Sequence, residues 1–269
     1  MRPLSDMPGD AAAKIAIVFT DIDDTLTHQG RLPADAYRAL EDLHDAGFVV
    51  APITGRPAGW CDMIARFWPV AGVIGENGAF YFAYDAPARR MRRVFAASEA
   101  DRAANRDKLA AIQRRVLAEI PGAAVSADQA YREADLAIDF CEDVAPLDKA
   151  TVTRIKAIFE EAGATAKISS IHVNGWFGQY DKLTMAKRFA REIVGIDIER
   201  DRDRVVFVGD SPNDAPMFGY FPNACGVANV LAFSGELEFE PAYVTKGFGG
   251  SGFVEVAGRL LAARDRGRA

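Results

Sequence analysis

One stretch constrains this chain more than any other: an apolar run, Ile15 to Phe19, that ends abruptly on Asp21, Asp23 and Asp24. The run has no polar alternation, the pattern of a short strand buried on both faces of a parallel sheet. In open α/β sheets, ligands gather beyond the carboxyl ends of the strands. Asp21 and Asp23 therefore stand two residues apart, where a turn can aim both at one point. Aspartate and threonine are also ordinary turn and capping residues, so the rest of the chain decides what the cluster means.

The same grammar repeats. Ala36, Leu40 and Leu43 recur at helical spacing, and Gly47 closes that helix. Phe48 to Ile53 reads as a second apolar strand and exits into Thr54, Gly55 and Arg56. A helix follows around Trp60 to Phe67, then a third strand, Ala71 to Ile74, exiting into Gly75, Glu76, Asn77 and Gly78. From Asp181 the pattern returns, with a helix over Leu183 to Val194 and Lys182 in its first turn. Arg204 to Val208 is the most apolar strand and exits into Gly209, Asp210, Ser211, Pro212, Asn213 and Asp214. Short strands near Ala224–Val227 and Tyr243–Thr245 and a helix over Phe253–Ala263 complete it. Alternating strands and helices predict an α/β fold with a Rossmann-like parallel sheet.

Between these halves the texture changes. Ala79 to Ala96 reads as a hairpin, Glu99 to Ile120 as a long polar helix, and Leu136 to Phe140 as a half-exposed strand. A second helix over Leu147–Ala162 and a strand over Ala166–Val173 follow, with Gly175 and Gly178 as a return hinge. The order implies a catalytic core over residues 14–84 and 179–269, interrupted by a separate α/β cap over 85–178. Met1 to Ala13 carries no apolar signal core and reads as a loose leader.

A net charge of −6 argues against general nucleic-acid binding. No apolar run approaches the ~20 residues of a membrane span. Cys61, Cys141 and Cys225 are too scattered for a disulfide framework or a metal site, which points to a reducing, cytoplasmic setting.

If the three strands are neighbours, Asp21, Asp23, Asp210 and Asp214 converge with Thr54 on one crevice. Gathered carboxylates repel, by about 4 kcal/mol per pair at 4 Å with an effective dielectric of 20. A bound cation resolves the conflict, and oxygen-only ligands favour a hard ion such as magnesium. A carboxylate beside such an ion can act as a nucleophile and form an aspartyl-phosphate. A second carboxylate can protonate the leaving oxygen and then activate water. The hydroxyl of Thr54 and the ammonium of Lys182 are suited to holding phosphoryl oxygens.

Asp21-Ile22-Asp23-Asp24-Thr25, Thr54-Gly55-Arg56, Lys182 and Gly209-Asp210-Ser211-Pro212-Asn213-Asp214 resemble, in order, the four motifs of the haloacid dehalogenase superfamily of phosphatases. The inserted α/β unit between the second and third motifs resembles the cap of its Cof-type and sugar-phosphate phosphatase branch. The resemblance implies Asp21 as nucleophile and Asp23 as general acid/base. It implies magnesium held by Asp21, the backbone carbonyl of Asp23, and Asp210, with Asp214 as a further ligand or anchor. Thr54 and Lys182 would hold the phosphoryl group, and Asp23 itself favours phosphate transfer, because true dehalogenases lack it.

Further candidates for substrate contact are Arg56, Gly55, Glu76, Asn77 and Asn213. On the cap, alternation would put Ser170, His172 and Asn174 on one strand face, with Ser169 beside them. Arg89 to Arg93 reads as a solvated hairpin edge. The expected function is a magnesium-dependent phosphomonoester hydrolase acting on a small phosphorylated sugar, as a monomer or homodimer. The alternatives are a phosphomutase resembling phosphomannomutase, or a non-catalytic sugar-phosphate-binding protein on the same fold.

Overall fold

The computed structural model describes residues 1–266. In chain order its strands are β1 (Arg2–Pro3), β2 (Ile17–Thr20), β3 (Val49–Pro52), β4 (Val73–Gly75), β5 (Phe80–Asp85), β6 (Arg90–Phe95), β7 (Ala124–Val125), β8 (Asp135–Asp139), β9 (Thr165–Ile168), β10 (His172–Trp176), β11 (Val205–Gly209), β12 (Cys225–Gly226) and β13 (Tyr243–Val244). The helices are α1 (Gly9–Lys14), α2 (Ala34–Asp45), α3 (Ala58–Phe67), α4 (Glu99–Glu119), α5 (Lys149–Glu161), α6 (Lys182–Phe189), α7 (Ala215–Tyr220) and α8 (Gly249–Arg266).

Six strands form an all-parallel sheet in the order β1-β13-β12-β11-β2-β3. All four residues of β2 are buried, because helices cover both faces of the sheet. The register pairs Thr20 with Val208 on one side and Pro52 on the other, so the three exits lie level. Asp21, Thr54 and Asp210 thus leave the sheet side by side.

The third strand of the first half does not join this sheet as a full member. It meets β3's exit through one parallel bridge, Ile53 to Ile74, and otherwise pairs antiparallel with β5, which pairs with β6. Phe80, Phe82, Tyr81 and Ala83 of β5 belong to the two clusters that flank the parallel sheet, and Phe95 and Val94 of β6 pack against them. The boundary expected at residue 85 therefore falls inside a hairpin that stays with the core. The cap cluster is separate and draws its buried residues from Leu109 to Val173.

The cap is an antiparallel sheet, β7-β8-β10-β9, with α4 and α5 on one face. The expected strand over Ala166–Val173 is two strands, turning at Ser169–Ile171. β8 is fully buried, not half-exposed, because its polar face turns toward the core. Gly175 is no hinge. It pairs with Leu136 inside β10, and a Cβ there would come 2.1 Å from the Phe159 ring, so glycine lets α5 lie against the sheet.

The N-terminal segment is also not loose. β1 pairs with β13, α1 packs on α8, and Leu4, Met7 and Ala12 are buried. Such short, polar-rich elements give no periodicity, and tertiary packing supplies what propensity does not. No helix among the described residues is long and apolar enough to cross a membrane.

Candidate active site

The β2 exit carries Asp21, and the chain then turns through Asp24 in left-handed backbone (φ 57°). That reversal lets the Thr25 hydroxyl reach back across the site and donate to Asp210 Oδ1 at 3.0 Å. At the β11 exit, the Asp210 N–H donates to Asp214 Oδ2 at 3.1 Å. A Cβ on Gly209 would lie 2.4 Å from that same oxygen, so only glycine allows Asp214 to fold back this far. Asp181 caps α6 by accepting the Thr184 N–H, which fixes Lys182 as the first helical residue. A lysine is unfavourable there with the helix dipole. Two carboxylates offset this, because Lys182 Nζ lies 2.7 Å from Asp21 Oδ1 and 2.8 Å from Asp214 Oδ1.

Asp21, Asp210 and Asp214 are all buried and offer oxygens within 4.8 Å of one another. Burial pushes Asp21 up to about 7, with Asp214 and Asp23 adding to it and Lys182 opposing. Burial likewise raises Asp210 well above the usual carboxylate range, followed by the charges of Asp214 and Asp21. Lys182 is pulled down by burial, but Asp21 and Asp214 more than reverse this and hold it above its ordinary value. Three carboxylates with one ammonium are short of positive charge. The donor set is oxygen only and fits a hard divalent cation such as magnesium.

The Asp23 carboxylate stands apart from this trio. Arg56 grips it, with Nε 3.0 Å from Oδ1 and the second terminal nitrogen 2.8 Å from the same oxygen. The guanidinium lies over the Trp60 ring, 4.5 Å from its centroid. Burial works against its charge, yet Asp23 and Glu142 hold Arg56 above its ordinary value. Thr54 is fully buried, and its hydroxyl accepts the Arg56 N–H at 3.0 Å. Asp21, Asp23, Gly55, Arg56, Ser211 and Asn213 from the core meet Ser169, Ser170, His172 and Asn174 from the cap around a compartment of about 20 Å³. A larger cavity of about 330 Å³ adjoins it, shares Asn213, and is lined by Lys182, Asn77, Lys167, Gln179 and Tyr180 among others.

Most of the sequence-derived candidates therefore converge, with two corrections. Glu76 does not face a substrate. It is fully buried, and its two oxygens accept the N–H groups of Ala58 (3.0 Å), Glu133 (2.9 Å), Ala134 (2.6 Å) and Asp135 (3.1 Å), pinning cap to core. Ser170 is not on the strand face of His172 and Asn174. It sits in the β9–β10 turn and opposes the upward push that burial and the charge of Asp23 give the Asp24 carboxyl. Asn77 is buried beside Gly55, and its amide nitrogen has no partner among the described residues.

Several charged residues at the site escape sequence reasoning. Arg132 bonds Asp128 (2.9 Å), Asp135 (2.9 Å) and the Gly55 carbonyl (2.9 Å) across the junction. Asn174 donates to Asp135 at 3.1 Å. Glu142 reaches Arg56 at 2.8 Å and His172 Nε2 at 2.9 Å, and these partners draw its carboxyl down to about 2. The available signal was Asp135 and Asp139 at the two ends of an otherwise apolar strand, which marks a face too charged for a simple core.

No family model and no curated protein matches the sequence. Solved structures do. The C-terminal domain of Candida albicans trehalose-6-phosphate phosphatase matches with TM-score 0.70 and 15% identity over 97% of this chain and 98% of that one. A HAD/COF-like hydrolase from Plasmodium vivax matches with TM-score 0.66 and 16% identity over 95% and 99%. This is the haloacid dehalogenase fold with an α/β cap. The sucrose-phosphatase from Synechocystis shares it, with TM-score 0.60 and 14% identity over 91% and 97%. In that fold's frame, the cap of this chain stands over the exits of β2, β3 and β11.

Proposed function

We propose that this protein is a magnesium-dependent phosphomonoester hydrolase that acts on a small phosphorylated sugar through an aspartyl-phosphate. The observation that carries the proposal is the division of labour among carboxylates. Asp21 lies in a buried trio with Asp210 and Asp214, while Asp23, two residues on, is held outside it and lines the same compartment. A site that only bound phosphate has no need of both.

Asp21 Oδ would attack phosphorus as the bond to the leaving oxygen breaks, and Asp23 would give that oxygen its proton. Asp23, now ionised, would take a proton from water as the water oxygen attacks phosphorus. The bond to Asp21 then breaks, giving inorganic phosphate. Thr54 and Lys182 would hold the phosphoryl oxygens throughout. Magnesium would be held by Asp21 and Asp210, with Asp214 behind them, and supplies positive charge that keeps Asp21 ionised and offsets the phosphoryl charge. The adjoining 330 Å³ cavity lies within the range of small-molecule sites. Structural neighbours named for trehalose-6-phosphate and sucrose phosphate support a sugar as the leaving group. Three free cysteines, two of them buried, suit a reducing cytoplasm.

Phosphate release from a panel of sugar phosphates and an aryl phosphate, with and without magnesium, tests this. Magnesium-dependent turnover that disappears in Asp21→Asn is the expected result. An Asp21→Asn protein as active as wild type, or a wild type inert on every compound, overturns it.

A further inference from the structure

The cap sheet turns one face to α4 and α5 and the other toward the core. Leu136, Val173 and Ala166 pack with the helices, so alternation puts Asp135, Asp139, Asn174 and Lys167 on the inward face. The inward carboxylates are balanced. Asp135 meets Arg132 at 2.9 Å, and Asp139 accepts the N–H groups of Cys141 (2.9 Å), Glu142 (2.8 Å) and Asp143 (2.9 Å). Lys167 is the exception, because its ammonium has no hydrogen bond or ion pair among the described residues. Its strand, β9, is the edge of the cap sheet and packs over the Pro212–Asp214 turn of the core. There Lys167 lines the 330 Å³ cavity, together with Lys182, Asn213 and Gln179. Lys182 Nζ lies 2.7 Å from Asp21 Oδ1, so a molecule with its phosphoryl group at Asp21 has its remainder in this cavity. The other charges on the cavity wall are committed. Lys182 is shared between Asp21 and Asp214, and the Asp181 carboxylate accepts the Thr184 N–H at 2.6 Å. One uncommitted charge remains, and it is positive.

We infer that Lys167 determines specificity, and that the leaving group carries a second anionic group, a carboxylate or a second phosphate, which pairs with the Lys167 ammonium. The inference rests on the proposed phosphatase reading and narrows its substrate from phosphorylated sugars in general to acidic ones. Hydrogen bonds between ionised partners are about twice as strong as neutral ones, so a single free ammonium beside the leaving group separates acidic from neutral sugars. Lysine is a compact charge on a flexible stem and selects for charge, not for the planar shape of a carboxylate, so both sources of the anion fit. The second group takes no part in the bond changes. It stays on the released alcohol, while the phosphate ester at Asp21 is the bond that breaks.

The test uses two matched pairs of substrates. The first is 6-phosphogluconate against glucitol 6-phosphate, which differ only in a carboxylate for a hydroxymethyl group. The second is fructose 1,6-bisphosphate against fructose 6-phosphate. The readout is the ratio of kcat/KM, acidic over neutral, within each pair for wild type, Lys167→Ala and Lys167→Arg. Lys167 is exposed to the cavity, so these variants remove no packing from the core. The wild-type ratio is expected to exceed one in at least one pair. Loss of one charged hydrogen bond should lower it about 10–100-fold in Lys167→Ala, chiefly through KM, and Lys167→Arg should restore most of it. The pair that responds identifies the anion as carboxylate or phosphate. A wild-type ratio of one or below in both pairs, or a ratio that Lys167→Ala leaves unchanged, overturns the inference. Failure of the phosphatase reading looks different, because wild type then releases no phosphate even from nitrophenyl phosphate.

Discussion

Glu76 offers a sharp test of how a buried carboxyl is stabilised at the cap–core junction. Burial and the charge of Asp135, set against Arg132 and the backbone N–H groups, push its carboxyl up to about 8. Taken alone, that would leave Glu76 neutral at pH 7. A neutral carboxyl must donate from one oxygen, however, and the partners around both oxygens are N–H donors. The pocket fits the ionised form. Glutamine copies the neutral acid, so Glu76→Gln separates the two cases. In the amide's better orientation its NH2 replaces Oε1, and the Ala58 N–H loses its acceptor; in the other, Ala134 and Asp135 lose theirs. A buried donor left unpaired costs about 1–3 kcal/mol, and destabilisation of at least that size is expected in urea titrations at pH 7, followed through the cap–core residue Trp176. The pH dependence carries the same information. A carboxyl raised in the folded state lends stability below about 4.5 that is lost as pH climbs to about 8. An ionised Glu76 gives a wild-type-to-variant gap that stays level from pH 6 to 8. A variant as stable as wild type at pH 7, with a gap that shifts against the wild type by about 1.4 kcal/mol per pH unit from pH 6 to 8, refutes the donor-count reasoning.

Three further outcomes are expected. Asp21 is raised to about 7, so in metal-free protein its contribution favours the fold at low pH and is lost as pH rises through 7. Magnesium should therefore raise Tm more at pH 8 than at pH 6, with stabilisation of about 2.7 kcal/mol at a hundredfold excess over Kd; an equal or opposite effect contradicts the metal assignment. Gly175→Ala drives a methyl against the Phe159 ring and should destabilise the cap by about 1–3 kcal/mol, seen as an earlier urea transition; a neutral substitution would show that α5 has room to move. Removal of residues 1–13 takes away the buried Leu4 and Met7, each worth about 1.5–3 kcal/mol, and should lower Tm clearly; an unchanged Tm would restore the view of this segment as a loose leader.

The sheet and its exits were legible because a parallel strand buried on both faces leaves a plain mark, an apolar run that stops on polar residues. Asp21, Thr54 and Asp210 were found this way, and Lys182 through motif order. The cap was legible in outline only. Leu136 to Phe140 read as a half-exposed strand, since nothing local says that the face carrying Asp135 and Asp139 meets Arg132 or shapes the Glu142 loop. Glu76 was misread for the same reason. A polar residue at a strand exit looks alike whether it awaits a ligand or accepts N–H groups from residues 133–135. Charge networks joined across distant segments have no period for a sequence to display.

The nucleophile's strand has consequences for how the molecule comes into being. β2 lies between β3, its near neighbour in sequence, and β11, whose exit residue Asp210 bonds Thr25 from 185 residues away. During synthesis Asp21 therefore emerges early, on a strand with one open edge, and waits through the whole cap before its second neighbour arrives. Until then the crevice has neither Lys182 nor Asp210, and an unpaired apolar edge is exposed to other chains. Contacts this distant close slowly. A chaperone that shields nascent strand edges should matter more to the yield of this protein than to proteins whose sheets are laid down in sequence order.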